Sequence, residues 1–373
     1  MRVGILTLPL HTNYGGILQA YALQTVLERM GHEVHIIEEI NFPLRLPLWK
    51  KPLSYGKRIV KNILGRKCIV LYEQKYNKEQ PIIQQYTDQF INQYIHIAKY
   101  KKFSTIMESE YDAIVVGSDQ VWRPKYFGHN QIENAYLKFA KEWNIKRIAY
   151  AASFGTDEWE YTFRQTQECR SLVRMFDAVS VREISGVYLC KVNLGINAQH
   201  VLDPTLLLDR GDYVRLFKEK SISRSEGTLL NYILDETPEK DALIKNVANS
   251  KCLIPFRVNS KVENSSASLF ERIQPSVESW LRGFYDAEFV ITDSFHACVF
   301  SILFKKQFVV CGNEERGLAR LKSLLSIFGL ENRLITTIEQ LQELQEIDFD
   351  KVYKRLDEFK KTSWSFLYEM CQN

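Results

Sequence analysis

The sequence predicts an α/β protein built as two Rossmann-like lobes that face each other across a cleft. Three observations predict it. Apolar strand-like runs alternate with helical patterns from the first residues, a second α/β block follows a connection near residues 205–225, and 373 residues are too many for one core. The first lobe is expected over 1–210, with a basic insertion at 41–75, and the second over 211–347. A closing helix over 348–373 is expected to pack back on the first lobe.

In chain order, 2–8 reads as a buried strand, followed by the loop PLHTNYGG and a helix over 17–30 that Gly31 caps. The next strand is 33–38, so the chain opens with a βαβ unit, although its loop is not GxGxxG. Asn13, Tyr14, Gly15 and Gly16 occupy the phosphate-facing corner instead, and glycines there let backbone and ligand approach closely. A polar helix is expected over 73–97. Tyr111–Gly117 is read as the third strand, 147–152 as the fourth and 177–181 as the fifth. Each of these three ends in a polar loop on the same edge. In the second lobe, strands are expected at 228–234 and 252–256, and helices at 240–249, 276–287 and 317–328. The last helix is expected over 348–371.

One stretch stands out, DAEFVITDSFHACVFSILFKKQFVVCG, Asp286 to Gly312. It reads as a strand, a polar elbow at Asp293 and Ser294, an apolar helix opening on His296, and a second strand. The elbow sits at a strand's carboxyl end and a helix's amino end, where open α/β sheets bind ligands and helix N–H groups favour an anion. A histidine at that place can bind phosphate or move a proton near neutral pH.

Bulk properties narrow the function. Forty-nine basic against 45 acidic residues, a net charge of +4, do not suggest a nucleic-acid protein. The seven cysteines form no CxxC pair and no zinc spacing, and argue against a secreted disulfide framework. The amino terminus does not read as a signal peptide, and no window approaches a spanning helix. A cytoplasmic protein is expected. The segment Arg45–Lys67 carries eight basic residues and no acid, interleaved with Leu and Trp49. It suits either an anionic surface such as phospholipid headgroups, giving peripheral contact at the inner face of a membrane, or a solvated helix packed on the domain.

Six motifs carry a family resemblance: NYGGILQAYALQ (13–24), VGSDQVW (116–122), AYAASFG (149–155), SVRE (180–183), VLDPTLLL (201–208) and TDSFHACVFSILFKKQFVV (292–310). In this order they resemble the polysaccharide pyruvyl transferase family over roughly residues 1–330. The resemblance implies two lobes of the GT-B kind. It implies transfer of a pyruvyl group from phosphoenolpyruvate to two hydroxyls of a sugar, making a cyclic ketal. The acceptor would be a bacterial cell-surface polysaccharide, such as an exopolysaccharide or capsule, or its lipid-linked precursor. Phosphoenolpyruvate serves as donor substrate, and no cofactor or metal is implied.

The resemblance also distributes roles. His296 is the catalytic candidate, as proton donor or phosphate ligand. Arg182 matches an arginine of the family's first lobe and is assigned to the donor. Some members carry an arginine where this chain has Ser294, so the donor is held differently or the charge comes from elsewhere. Arg316 lies where other members place a basic residue, and Arg320, one helical turn on, competes for that role. Ser118, Asp119 and Gln120 offer hydrogen bonds to vicinal hydroxyls, with Asn13, Tyr14, Gly15 and Gly16 facing them. Trp122 either stacks on a sugar face or plugs its loop as a buried ring. Asp203 is read as serving the turn before Pro204. Two alternatives remain at this point, a nucleotide-sugar glycosyltransferase of the same architecture and a non-catalytic member that scaffolds polysaccharide assembly.

Overall fold

The computed structural model describes residues 1–40, 43–66, 68–129, 131–312, 318–337 and 339–371. Among them, two parallel sheets form. The first contains β1 (Arg2–Leu6), β2 (Glu33–Glu39), β3 (Ile97–Tyr100), β4 (Ala113–Val116), β5 (Lys146–Ala152), β6 (Ala178–Val181) and β7 (Gln199–His200), in the order β3-β2-β1-β4-β5-β6-β7. The second contains β8 (Leu229–Tyr232), β9 (Pro255–Phe256), β10 (Phe289–Thr292), β11 (Gln307–Cys311) and β12 (Leu334–Ile335), in the order β12-β11-β10-β8-β9. The central strands AIVV and FVIT are buried along their whole length, as strands covered by helices on both faces must be.

Both orders reverse direction once. The first sheet runs from β1 outward to β3 and returns to place β4 on the other side of β1; the second does the same between β8 and β10. Such switch points leave a crevice beyond the strand ends. The exits of β1, β4, β8 and β10 therefore feed one cleft.

Two local expectations are corrected. The helix expected over 73–97 is two helices, Tyr72–Ile83 and Gln85–Tyr94, and the chain then forms edge strand β3. Ile97–Tyr100 is too short to show a period, and Gln24 fixes it: its amide oxygen accepts the His96 N–H at 2.8 Å, beside the pairing with β2. Tyr111–Gly117 thus holds the fourth strand, not the third. The first helix starts at Tyr14 rather than Ile17, because the Asn13 side chain caps it by accepting the Gly16 N–H. Gly15 and Gly16 are its first turn, not loop.

One apolar core runs through both lobes. Its centre is Trp280, fully buried, which stacks on Tyr14 of the first lobe with centroids 5.4 Å apart and meets Phe300 edge-on at 4.9 Å. The Tyr14 hydroxyl donates to Pro275 O at 2.7 Å, so the ring is fixed at both ends. The terminal helix Phe349–Cys371 straddles the lobes. Tyr353 donates to Leu303 O at 2.7 Å, Ser363 Oγ accepts the Leu202 N–H at 3.0 Å, and Phe366 packs on Tyr150.

These contacts rank two substitutions. Trp280→Ala empties the shared core and is expected to lower stability by about 3–5 kcal/mol. Lys360→Ala breaks an ion pair whose partner, Asp209, is 83% exposed, and is expected to change it by less than about 1 kcal/mol. Urea unfolding followed by far-ultraviolet circular dichroism measures both; comparable losses would refute a core shared between the lobes.

Candidate active site

The site is built around Asp203, which follows β7. Its Oδ2 accepts from Arg182 Nη1 at 2.5 Å and from Ser118 Oγ at 3.3 Å. Its Oδ1 accepts the Thr205 N–H and hydroxyl at 3.0 and 2.6 Å, which also caps the turn Pro204–Leu206. Arg182, at the end of β6, spans two carboxylates, since its Nη2 donates to Asp119 Oδ1 at 3.2 Å. Arg320 Nη1, from the second lobe, stands 3.8 Å from the same Asp119 oxygen. The Phe295 ring lies beneath both guanidiniums, 4.4 Å from Arg182 and 5.5 Å from Arg320.

His296 enters this network from the opposite lobe. Its Nε2 lies 3.6 Å from Asp203 Oδ2, within ion-pair reach but too far for a hydrogen bond. Nε2 makes no hydrogen bond among the described residues and is sealed from solvent, so the ring's remaining exposure lies away from it. The ring rests on the first turn of the Tyr14–Arg29 helix. A Cβ at Gly15 would stand 2.0 Å from Nδ1, so only glycine admits the imidazole there.

Opposed effects set the charges. Burial alone would raise the Asp203 and Asp119 carboxyls, but Arg182, with His296 and for Asp119 also Arg320, holds both below the usual carboxylate range. Burial pushes Glu183 up against the pull of Arg182, while its Oε1 accepts from Ser153 Oγ and the Phe154 and Gly155 N–H groups. Burial and the like charge of Arg182 bring Arg320 down to about 10, which leaves it cationic at neutral pH. The result is a buried, hydrogen-bonded set of opposite charges beside a titratable imidazole.

A cavity of about 410 Å³ opens in front of it, between the lobes. Asn13, Gly15, Gly16, Asp119, Gln120, Ser294, His296 and Arg320 line it, so these sequence-predicted residues come together. The helix Phe295–Leu303 starts at its wall, and the first N–H groups of a helix have no partner within it. Arg320 lines the same cavity, so both sources of positive charge face one corner of it. Asp293 is anchored away from it, accepting the Leu234 and Asp235 N–H groups and pairing with Lys240 at 2.7 Å.

Four predicted residues do not face the cavity. The Arg182 side chain is 1% exposed, pairs with two carboxylates and does not line the cavity, so it organises the network rather than touching a donor. Ser118 is buried with its hydroxyl on Asp203. Trp122 is the buried plug, stacked on Tyr136 at 4.9 Å with its Nε1–H donated to Ala135 O. Tyr14 has its hydroxyl in the seam between the lobes. Arg316 lies outside the described residues. The sequence reading missed Asp203 as a hub: its Asp-Pro context announces a turn, which it does cap, and nothing local announces Arg182 and His296. Glu183 and Gln274, whose amide donates to Thr12 O at 3.1 Å, were missed likewise. Among the described residues, no group of three or more His, Cys, Asp or Glu is placed to hold a metal ion.

The network makes a pH prediction. A carboxyl held below its unfolded value of about 3.9 stabilises the fold above that pH, and the gain is lost as pH falls toward the folded value. Asp203→Asn is expected to cost about 3–5 kcal/mol at neutral pH and to flatten the loss of stability below about pH 4. Urea midpoints across pH test this; parallel acid limbs in wild type and variant would refute it.

The profile of one family, polysaccharide pyruvyl transferase, matches residues 13–315. None of the curated proteins matches the chain. Among solved structures, Arabidopsis thaliana UGT89C1 complexed with UDP-L-rhamnose is similar with a TM-score of 0.50 and 10% identity, over 99% of this chain and 99% of that one. UDP-GlcNAc 2-epimerase from Neisseria meningitidis bound to UDP-GlcNAc has a TM-score of 0.48 and 10% identity, over 97% and 94%. The first likeness is one of fold, and the arrangement of two parallel-sheet lobes is GT-B.

Proposed function

The chain belongs to the polysaccharide pyruvyl transferase family and is a transferase, and we propose that it moves the pyruvyl group of phosphoenolpyruvate onto two hydroxyls of one sugar. The sugar belongs to a cell-surface polysaccharide or its lipid-linked precursor. The observation that carries this reading is His296. It sits on a helix amino terminus beside Arg320, with a buried carboxylate behind its far nitrogen.

The chemistry uses these groups in turn. Arg320 and the amides opening the Phe295–Leu303 helix hold the phosphate and carboxylate of the donor. His296 delivers a proton to the methylene carbon as one sugar hydroxyl adds at C2, the hydroxyl's own proton passes to the imidazole, and Asp203 stabilises the imidazolium from behind. The methylene becomes a methyl group. The second hydroxyl then displaces phosphate from C2 and its proton leaves on the phosphate, which closes the ketal and releases inorganic phosphate. Asp119 and Gln120, on the opposite wall, accept hydrogen bonds from the sugar hydroxyls. Ser294, small where some members carry arginine, leaves Arg320 as the cation of the corner.

Incubation with phosphoenolpyruvate and a panel of sugars, scored by phosphate release and acceptor mass, tests the reading. Transfer from a UDP- or GDP-sugar without phosphate release from phosphoenolpyruvate would replace it with the glycosyltransferase alternative. In the active system, His296→Asn is expected to fold and to lose about a hundred- to ten-thousandfold in turnover; near-full turnover would remove its role. Gly15→Ala, which drives a methyl into the imidazole, is expected to lower kcat at least about tenfold in a folded enzyme. An unchanged kcat would show that the ring position is not needed.

A further inference from the structure

The helix Lys51–Ile63 is turned inside out relative to an ordinary surface helix. Its half-buried residues are Lys51, Ser54, Tyr55 and Arg58, at spacing i, i+3, i+4, i+7, so the polar stripe faces the protein. Arg58 pins that stripe, donating to both Glu73 carboxylate oxygens at 2.8 and 2.6 Å and to Val70 O at 2.9 Å. The apolar stripe faces outward: Leu53 is 64% exposed, Val60 53%, Ile63 78% and Leu64 72%. The turn before the helix adds Leu48 and Trp49, 80% and 76% exposed. Single exposed apolar residues need no explanation, but a contiguous stripe does.

Charge says what covers it. Residues 43–66 contain no Asp or Glu, and Lys50, Lys57 and Lys61 are all exposed along the helix. An apolar stripe rimmed by lysines fits an anionic lipid surface, with the apolar side chains at the acyl boundary and the ammonium groups among the headgroups. At 13 residues the helix lies on such a surface rather than crossing it, and no described helix is long and apolar enough to cross. The segment is also tied to the cleft. The next helix, Tyr72–Ile83, accepts Arg272 on Glu79 at 2.7 Å and Gln274 N–H on Ile83 O at 2.8 Å, and Gln274 lines the cavity.

We infer that Leu48–Leu64 is an interfacial anchor that seats the protein on an anionic lipid surface through Trp49, Leu53, Val60, Ile63 and Leu64. This stands on the helix alone and does not depend on the reaction in the cleft. The test is flotation of the full chain with vesicles of phosphatidylglycerol and phosphatidylcholine in equal parts, against phosphatidylcholine alone. Wild type is expected to float with the anionic vesicles only. The triple variant Leu53→Ser, Val60→Ser, Ile63→Ser is expected to bind them at least about tenfold more weakly. Lys50→Gln, Lys57→Gln, Lys61→Gln is expected to abolish the preference for anionic lipid. A blue shift of tryptophan emission on vesicle binding, absent in Trp49→Phe, would place that ring in the interface.

Wild type that stays with the soluble fraction overturns the inference, as does an apolar-face variant that floats like wild type. A dimer in solution that the apolar-face variant abolishes, without vesicle binding, would assign the stripe to a second copy instead. Phosphate release on a water-soluble acceptor is expected to be equal in wild type and the apolar-face variant. Vesicle binding without any such release would leave the anchor standing and refute the proposed reaction.

Discussion

The pairing of Arg182 with Asp203 and Asp119 is the constraint on which the centre of the molecule depends. Each of these groups is buried, and an unpaired charge in that position costs several kcal/mol. The arginine offsets this by engaging both carboxylates at once, 2.5 Å from one and 3.2 Å from the other. Three strand exits of the first lobe, after β4, β6 and β7, are thereby tied together through their side chains. The second lobe is fitted to that knot. Phe295 lies under Arg182, Arg320 stands beside Asp119, and His296, admitted by the missing side chain of Gly15, faces Asp203 with its other nitrogen.

This arrangement divides labour among the cations. Arg182 is buried and paired with two protein carboxylates, so its charge sets the ionisation of the network and the field felt by His296. Arg320 lines the cavity, and burial has lowered its pKa only to about 10, so it remains cationic. The helix terminus supplies further positive character without a side chain. A serine at 294 therefore does not leave the corner without charge. It leaves room, and the remaining guanidinium comes from another helix of the same lobe.

The basic segment shows the same separation of roles at the surface. Its charges alone describe a solvated helix as well as a membrane-facing one. What distinguishes them is which face Arg58 clamps to the body of the protein. Because Glu73 and Val70 hold the polar stripe inward, the hydrophobic stripe has no protein to cover it. The outward turn of the apolar stripe thus follows from a single ion pair, 23% and 9% exposed, that orients a helix.

The sequence by itself determined the α/β class, the two lobes, the central strands and the elbow carrying His296, because buried parallel strands and helix starts are written in local apolar runs and caps. It also named eight of the residues that line the cavity, since polar loops at the ends of parallel strands share one edge. It mislaid β3, whose four residues have no period of their own and are strand only because Gln24 and β2 hold them. It read Asp203 as a turn residue and Arg182 as a ligand-binding one, and it left Trp122 open between stacking and plugging. Those roles were decided by tertiary structure alone, because a buried charge is defined by its partners. Asp203, Arg182 and His296 lie 21 and 93 or more positions apart in the chain, and nothing short of the folded lobes brings their charges within a few ångströms.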